Sequence, residues 1–246
     1  MRKWILSSVF ACCAASAFPA DLPPEQVIQK FAAKESEFRK ARENYTYRQS
    51  VKLEELDGSG NVQGRWEEVQ DVTFGPNKQR LEKVVYAPMM TLKNIGLTPE
   101  DLQDLRAVQP FVLTTEDIGE YDVRYVGKQK LDEIECYQFT VKPKKMVKGK
   151  RYFDGDVWVD DRDFQIVKTY GQGVGLQKNQ AFPKFETYRE QIDGKYWFPT
   201  YTRANDTLHF KDFEQRIHLV VKYENYKRFG SESSVTFGDE VPEPKK

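Results

Sequence analysis

From Tyr45 to Phe229 apolar residues recur mainly with a period of two, and no sustained strand–helix alternation interrupts them. That excludes a parallel α/β sheet and leaves antiparallel strands joined by short turns. Tyr45, Tyr47, Val51 and Leu53 alternate with polar residues. Asp57-Gly58-Ser59-Gly60-Asn61 turns the chain, and Trp66 to Phe74 returns. Trp66 and Val69 are out of phase, so this strand is expected to be bulged. Gly75-Pro76-Asn77 turns again, and Arg80 to Tyr86 completes a three-strand meander. Seven further strands are read at 121–127, 135–142, 151–160, 164–171, 185–192, 196–208 and 215–229. Asp193-Gly194 is a hairpin signal, Lys128-Gln129-Lys130 reads as a turn, and Gly171, Gly173 and Gly175 read as a flexible loop. About ten antiparallel strands cannot stay flat and open.

Two segments break the alternation. Pro23 to Arg42 carries Val27, Ile28, Phe31, Phe38 and Ala41 at helical spacing, with Asp21 placed to cap. Charged residues fill its other face, so it needs a surface to cover. Residues 87–115 form an apolar insertion. Thr98-Pro99-Glu100-Asp101 starts a short helix that runs to about Val108. Met89-Met90-Thr91-Leu92 precedes it and Pro110-Phe111-Val112-Leu113 follows. The insertion is either a plug in the concave side of the sheet or a lid over it. In the lid reading Met89, Met90, Leu92, Ile95 and Leu97 supply adaptable apolar contacts.

Arg2 and Lys3 followed by an apolar stretch from Trp4 to Phe18 read as an export signal, cut after Ala17 in Ala15-Ser16-Ala17. Lipoprotein processing at Cys12 is the less favoured alternative, because Phe10 suits a lipobox poorly. The domains are then a signal over 1–17, one unit over 18–229, and a polar, disordered tail over 230–246. Net charge is zero, with 38 basic and 38 acidic residues. No global basic field exists for nucleic acid. Cys136 is the one cysteine beyond the signal, in Glu135-Cys136-Tyr137-Gln138-Phe139, where a packed thiol is expected.

The stretch Gly155-Asp156-Val157-Trp158-Val159-Asp160-Asp161-Arg162-Asp163-Phe164-Gln165-Ile166-Val167-Lys168 and the Tyr188–Pro199 hairpin with its Asp193-Gly194-Lys195 turn carry a resemblance. With the first helix, the meander and the helical insertion, the chain resembles the LolA/LolB-like periplasmic lipoprotein carriers and the related lipid-binding domains of RseB-type regulators. The resemblance is one of pattern and covers nearly all of residues 18–229. It implies a mainly β fold with some α: a strongly curved, unclosed antiparallel barrel of about ten to eleven strands, with helices over the concave side. It also implies an apolar cavity for lipid or lipoprotein acyl chains. The chain departs from a typical carrier in its long strands near 196–228, which leaves cargo identity open.

The apolar wall is assigned to Tyr45, Tyr47, Val51, Leu53, Trp66, Phe74, Leu81, Val85, Tyr137, Phe139, Val157, Val159 and Leu219, with Met89, Met90 and Leu92 from the insertion. Val141, Ile217 and Val221 share the phase of their strands. Each of these also fits a dry core. No catalytic residue, metal ligand or cofactor is assigned. Asp154, Asp156, Asp160, Asp161 and Asp163 lack a calcium-loop spacing and read as a solvated hairpin. His209 and His218 lack zinc-ligand spacing. Lys142 to Lys150 reads as a solvated basic loop. The expected function is a periplasmic binding or carrier protein for lipid or lipidated protein, concerned with outer-membrane lipoprotein sorting or envelope maintenance. The alternative is a non-catalytic signalling or scaffold domain of the same fold that engages an inner- or outer-membrane partner. The expected state is a monomer, without nucleic acid.

Overall fold

The computed structural model describes residues 22–175 and 181–229. The expected signal with its Cys12 alternative, the expected Asp21 cap, residues 176–180 and the expected tail over 230–246 lie outside the described residues. Helix α1 (Pro24–Arg42) begins with a proline in its first turn and has Pro23, without a side-chain cap bond, before it. The buried face is Val27, Phe31, Glu35 and Phe38, spaced by three or four as an apolar stripe requires.

Ten strands follow: β1 (Tyr45–Leu56), β2 (Val62–Phe74), β3 (Arg80–Tyr86), β4 (Tyr121–Leu131), β5 (Ile134–Pro143), β6 (Tyr152–Asp160), β7 (Ile166–Val174), β8 (Phe185–Ile192), β9 (Tyr196–His209) and β10 (Glu214–Arg228). They form one antiparallel sheet in the order β3-β2-β1-β10-β9-β8-β7-β6-β5-β4. The sheet is open, with β3 and β4 as its edges. The chain finishes its first meander at one edge and starts the second at the other. Residues 87–120 must therefore cross the whole sheet.

That crossing shows how strongly the sheet curves. Arg106 reaches Glu82 on β3, while Asp104, two residues earlier, holds Arg151 at the start of β6. In a flat sheet β3 and β6 lie seven strand spacings apart, about 34 Å. Two arginine side chains and one turn of chain cannot bridge that distance. The sheet bends around the crossing segment, and α1 packs into the concavity beside it. Phe31 meets Phe139 on β5, and Phe38 meets Phe198 on β9. The architecture is thus mainly β, curved and unclosed, with helical segments on its inner face.

Several local readings change. Between Gly64 and Val72 strand β2 pairs with β1 without a break, so Trp66, Gln70 and Val72 face in and Val69 faces out. The irregularity at Val69/Gln70 lies on the β3 side. Lys128-Gln129-Lys130 is part of β4, and the turn follows at Asp132, whose φ is +51°. Gly171 and Gly173 belong to β7 rather than a loop. A Cβ on Gly173 would strike the Arg151 guanidinium and the Asp104 carboxylate. That residue stays small because the crossing segment rests on it. The helix begun by the Thr98/Asp101 capping box ends at Gln103 as α2 (Pro99–Gln103), and a π-helical turn carries on over Asp104–Val108.

The outer face carries its own electrostatics. Burial alone would raise the carboxyl of Glu186, but hydrogen bonds from Tyr188, Lys168 and Arg203 hold it down at about 2. Its folded value lies below the ordinary 4.5, so the stabilisation is present above pH 4.5 and is lost as pH falls towards 2. The full shift corresponds to at most about 3 kcal/mol, less after solvent screening. In urea unfolding at pH 6, Glu186→Gln is expected to be less stable than the parent by about 1–2 kcal/mol. The two curves should converge near pH 2.

Candidate functional site

Polar residues placed in phase with the inner face explain how an irregular segment is held inside a sheet. Buried backbone carbonyls need donors. Gln49 on β1 donates to the Leu105 carbonyl at 3.3 Å, Thr187 on β8 donates to Gln109 at 2.9 Å, and Arg189 donates to Phe111. Leu105, Val108, Phe111 and Leu113 are buried, and Phe111 stacks on Phe153 at 4.4 Å. This half of the insertion is a plug. The plug is tied to α1 through Arg189, which also pairs with Glu35 at 2.9 Å. Both partners are essentially inaccessible to water. Burial pushes the Glu35 carboxyl up, while Arg189 pulls it down.

The first half of the insertion is tied down differently. The Thr91 N–H donates to the Arg65 carbonyl, the Arg65 N–H donates back to the Thr91 hydroxyl, and the strap passes over Gly64. A Cβ there would lie 2.6 Å from Glu55 and 2.8 Å from the Thr91 carbonyl. The buried carboxylate of Glu55 then accepts three consecutive N–H groups, from Lys93, Asn94 and Ile95, each at 2.8 Å. One inward acid on β1 thereby fixes the path of residues 93–95.

Between this anchored strap, the plug and the sheet lies a hollow of about 420 Å³. Leu53, Phe185, Leu208, Ile217 and Leu219 form its sheet wall, Ile95, Leu97 and Leu105 come from the insertion, and Phe182, Phe210 and Phe213 come from the turns beside it. Phe210 and Phe213 stack at 4.6 Å. One side is polar: Thr98, Asp101, Asp104 and Gln109 face it. The Gln109 Oε1 is buried without a hydrogen-bond partner. Burial raises the carboxyls of Asp101 and Asp104; Thr98 counters it at the first, Arg151 at the second. The volume falls within the range of small-molecule sites, about 300–1,000 Å³, and the wall chemistry suits an apolar chain with a hydrogen-bonding end.

The sixteen residues assigned from sequence fall into distinct places. Leu53 and Leu219 line the hollow. Val51, Trp66, Tyr137, Phe139, Val157 and Val159 are buried in the main core, against which Leu92 packs. Tyr45 packs with Phe38 and Phe198 in a second cluster. Tyr47 and Phe74 line a smaller hollow at the other end of β1. Leu81 and Val85 on β3 are 46% and 49% exposed, and Met89 and Met90 are 89% and 47% exposed. These four are not part of the inner wall. Leu81 pairs with Thr73, out of phase with inward Val72, and Val85 falls in the irregularity opposite Val69/Gln70. The Phe182, Phe210 and Phe213 contacts were missed because they sit in turns that carry no period. Inward Gln49, Glu55 and Arg189 were also missed. Their signal was a polar side chain at an apolar phase of the alternation.

Several other chemistry-bearing groups named from the sequence are engaged in structure. Cys136 packs with Trp158 and Val167, and burial raises its thiol to about 12. Asp163 accepts from Trp197 and Gln165, and Asp156 from Thr140. Among the described residues no three His, Cys, Asp or Glu side chains converge to hold a metal ion. No helix among them is long and apolar enough to cross a membrane.

No family model and no curated protein matches the chain. Solved structures do. A DUF1329 family protein from Desulfovibrio piger is 14% identical, with a TM-score of 0.43 over 86% of this chain and 96% of that one. A LolA superfamily protein from Nitrosomonas europaea is 13% identical, with a TM-score of 0.37 over 82% and 92%. The Pseudomonas aeruginosa MucA/MucB complex matches at 11% identity and a TM-score of 0.23, over 81% of this chain and 100% of that one.

Proposed function

We propose that this chain is an exported, non-catalytic binding protein that carries an apolar or amphiphilic molecule, a lipid or the acyl chain of a lipidated protein, through the cell envelope. The periplasm is the compartment this reading requires, and lipoprotein sorting or envelope maintenance is its setting. The observation that carries the reading is the 420 Å³ hollow with aliphatic walls, phenylalanines from the adjoining turns and one polar side. Such a site holds a hydrocarbon chain by burial alone, at about 0.8 kcal/mol per methylene. The strap pinned by Glu55 keeps the insertion from collapsing onto Leu53 and Leu219.

A partner-binding scaffold is the second reading. It is favoured by the open sheet edge at β3, where Val84, Val85 and Tyr86 are about half exposed. A strand edge with apolar side chains is a template for another chain.

Native mass spectrometry of the purified protein, followed by lipid extraction, separates the two. The carrier reading expects one amphiphile of lipid mass per chain, released by organic solvent. A protein that is empty under all conditions and leaves the column bound to a second polypeptide refutes it in favour of the scaffold.

A further inference from the structure

Between Glu135 and Asp154 the chain carries six basic residues and no acid. Lys142 lies near the end of β5, and Lys144, Lys145, Lys148, Lys150 and Arg151 lie in the loop that joins β5 to β6. The base of that loop is fixed. The Lys144 N–H donates to the Glu120 carbonyl at 2.8 Å, the Lys144 ammonium donates to the Gly119 carbonyl at 3.0 Å, and Lys150 pairs with the Glu120 carboxylate at 2.6 Å. The tip is a turn closed by the Lys150 N–H on the Val147 carbonyl, with Gly149 at a φ of +81°. Residues 144–150 are all exposed. Lys145 and Lys148 make no hydrogen bond or ion pair among the described residues.

The same tip exposes Met146 and Val147, at 59% and 55%. A single apolar side chain on a surface is ordinary. Here two neighbours stand together with a lysine on either side, so charge and apolar area meet a contacting surface at once. Those are the two terms that hold an amphipathic segment at a bilayer: apolar burial at the acyl boundary and attraction to anionic lipid. Residues 142–150 contain lysine and no arginine. An ammonium is a compact point charge without the planar fork that reads a carboxylate in fixed geometry. It suits diffuse negative charge better than a shaped acidic partner.

The strand order fixes where this tip lies. From β4 to β10 each strand pairs with the next in sequence, all antiparallel, so alternate connections share one end of the sheet. The β5–β6 loop, the β7–β8 connection that carries Phe182 and the β9–β10 turn that carries Phe210 and Phe213 are at the same end. Contacts agree. A Cβ on Gly175, just beyond β7, would lie 2.4 Å from the Lys150 carbonyl. Arg151, the last residue of the basic loop, sits over the Phe182 ring at 4.2 Å and holds Asp104, which faces the hydrocarbon hollow.

We propose that the β5–β6 loop is a membrane-docking element: Lys145 and Lys148 bind the head groups of an anionic phospholipid bilayer while Met146 and Val147 enter its interface. Docking by this tip sets the end of the sheet that carries Phe182, Phe210 and Phe213 against the lipid surface. It does so whether or not the hollow carries a lipid.

Co-sedimentation of the full chain with vesicles tests the assignment, using phosphatidylcholine alone and two parts phosphatidylcholine to one part phosphatidylglycerol. The parent is expected to bind the mixed vesicles at least tenfold more tightly than the neutral ones, and to weaken as salt is raised. Lys145→Gln with Lys148→Gln should lose at least tenfold on the mixed vesicles. Met146→Ser with Val147→Ser should lose at least threefold there. All four side chains are exposed, so melting temperatures should match the parent. Leu219→Trp, which fills the hydrocarbon hollow, should bind the mixed vesicles within twofold of the parent, and its behaviour separates docking from lipid uptake. The proposal is overturned if the parent shows no preference for the anionic vesicles, if the lysine variant binds them undiminished, or if Leu219→Trp loses them. It is overturned in favour of an acidic protein partner if soluble polyglutamate binds the parent and the Met146/Val147 variant equally and vesicles do not compete.

Discussion

Replacing Arg189 with Met is expected to cost about 3–5 kcal/mol of unfolding free energy, with a midpoint lower by about 10 °C. The reason is the company this side chain keeps. The Glu35 and Arg189 side chains are 0% and 1% exposed. Without Arg189, Glu35 keeps only the Ile166 N–H at 3.3 Å, and the Phe111 carbonyl loses its charged donor. The cavity left by the guanidinium, which also sits over the Phe38 ring at 5.1 Å, adds to the loss. The carboxyl of Glu35 is already raised by burial and will rise further. A group whose folded pKa is raised contributes stability below its unfolded value and loses it as pH climbs. The gap between parent and variant should therefore be widest near pH 7 and narrow towards pH 4. Urea unfolding followed by tryptophan fluorescence at the two pH values checks both parts. The double variant Glu35→Leu with Arg189→Met removes both charges and should recover part of the loss. A deficit below about 1 kcal/mol for the single change would mean the pair is not what joins α1, sheet and plug.

How much of this was legible beforehand follows from periodicity. Ten strands, the hairpin at Asp193-Gly194 and the amphipathic α1 all write their burial into spacing, because one face meets the core and the other meets water. The capping box at Thr98 is equally local. Pairing order is different. Whether β4 joins the sheet beside β3 or at the far edge depends on β10 finding β1, a contact distant in sequence. The crossing of residues 87–120, and with it the choice between plug and lid, hangs on that pairing. So does the site. Phe182, Phe210 and Phe213 converge only after the sheet bends, and nothing in their turns foretells it. Inward acids and bases gave a clue that alternation alone does not exploit. Glu35 lies on the apolar stripe of a helix, and Arg189 on the inward phase of a strand. A charge at each such place demands a partner, and here the two demands meet.

The larger prediction concerns the hollow itself. Leu219 stands on its sheet wall, on a strand paired on both sides, so its backbone is fixed. Leu219→Trp should extend an indole into space that is now empty and take the place of ligand there. Overpacking in a filled core costs about 1–3 kcal/mol, but a cavity accepts the added volume with less strain. The variant should therefore fold as stably as the parent, within about 1 kcal/mol, while losing ligand. The deciding measurement is a fluorescence titration of parent and Leu219→Trp with the uncharged reporter 1-aminoanthracene. The account predicts one site in the parent, displaced by a long-chain alcohol, and at least tenfold weaker binding in the variant with an unchanged melting temperature. Equal affinity in the two proteins, or no binding to the parent, would contradict it.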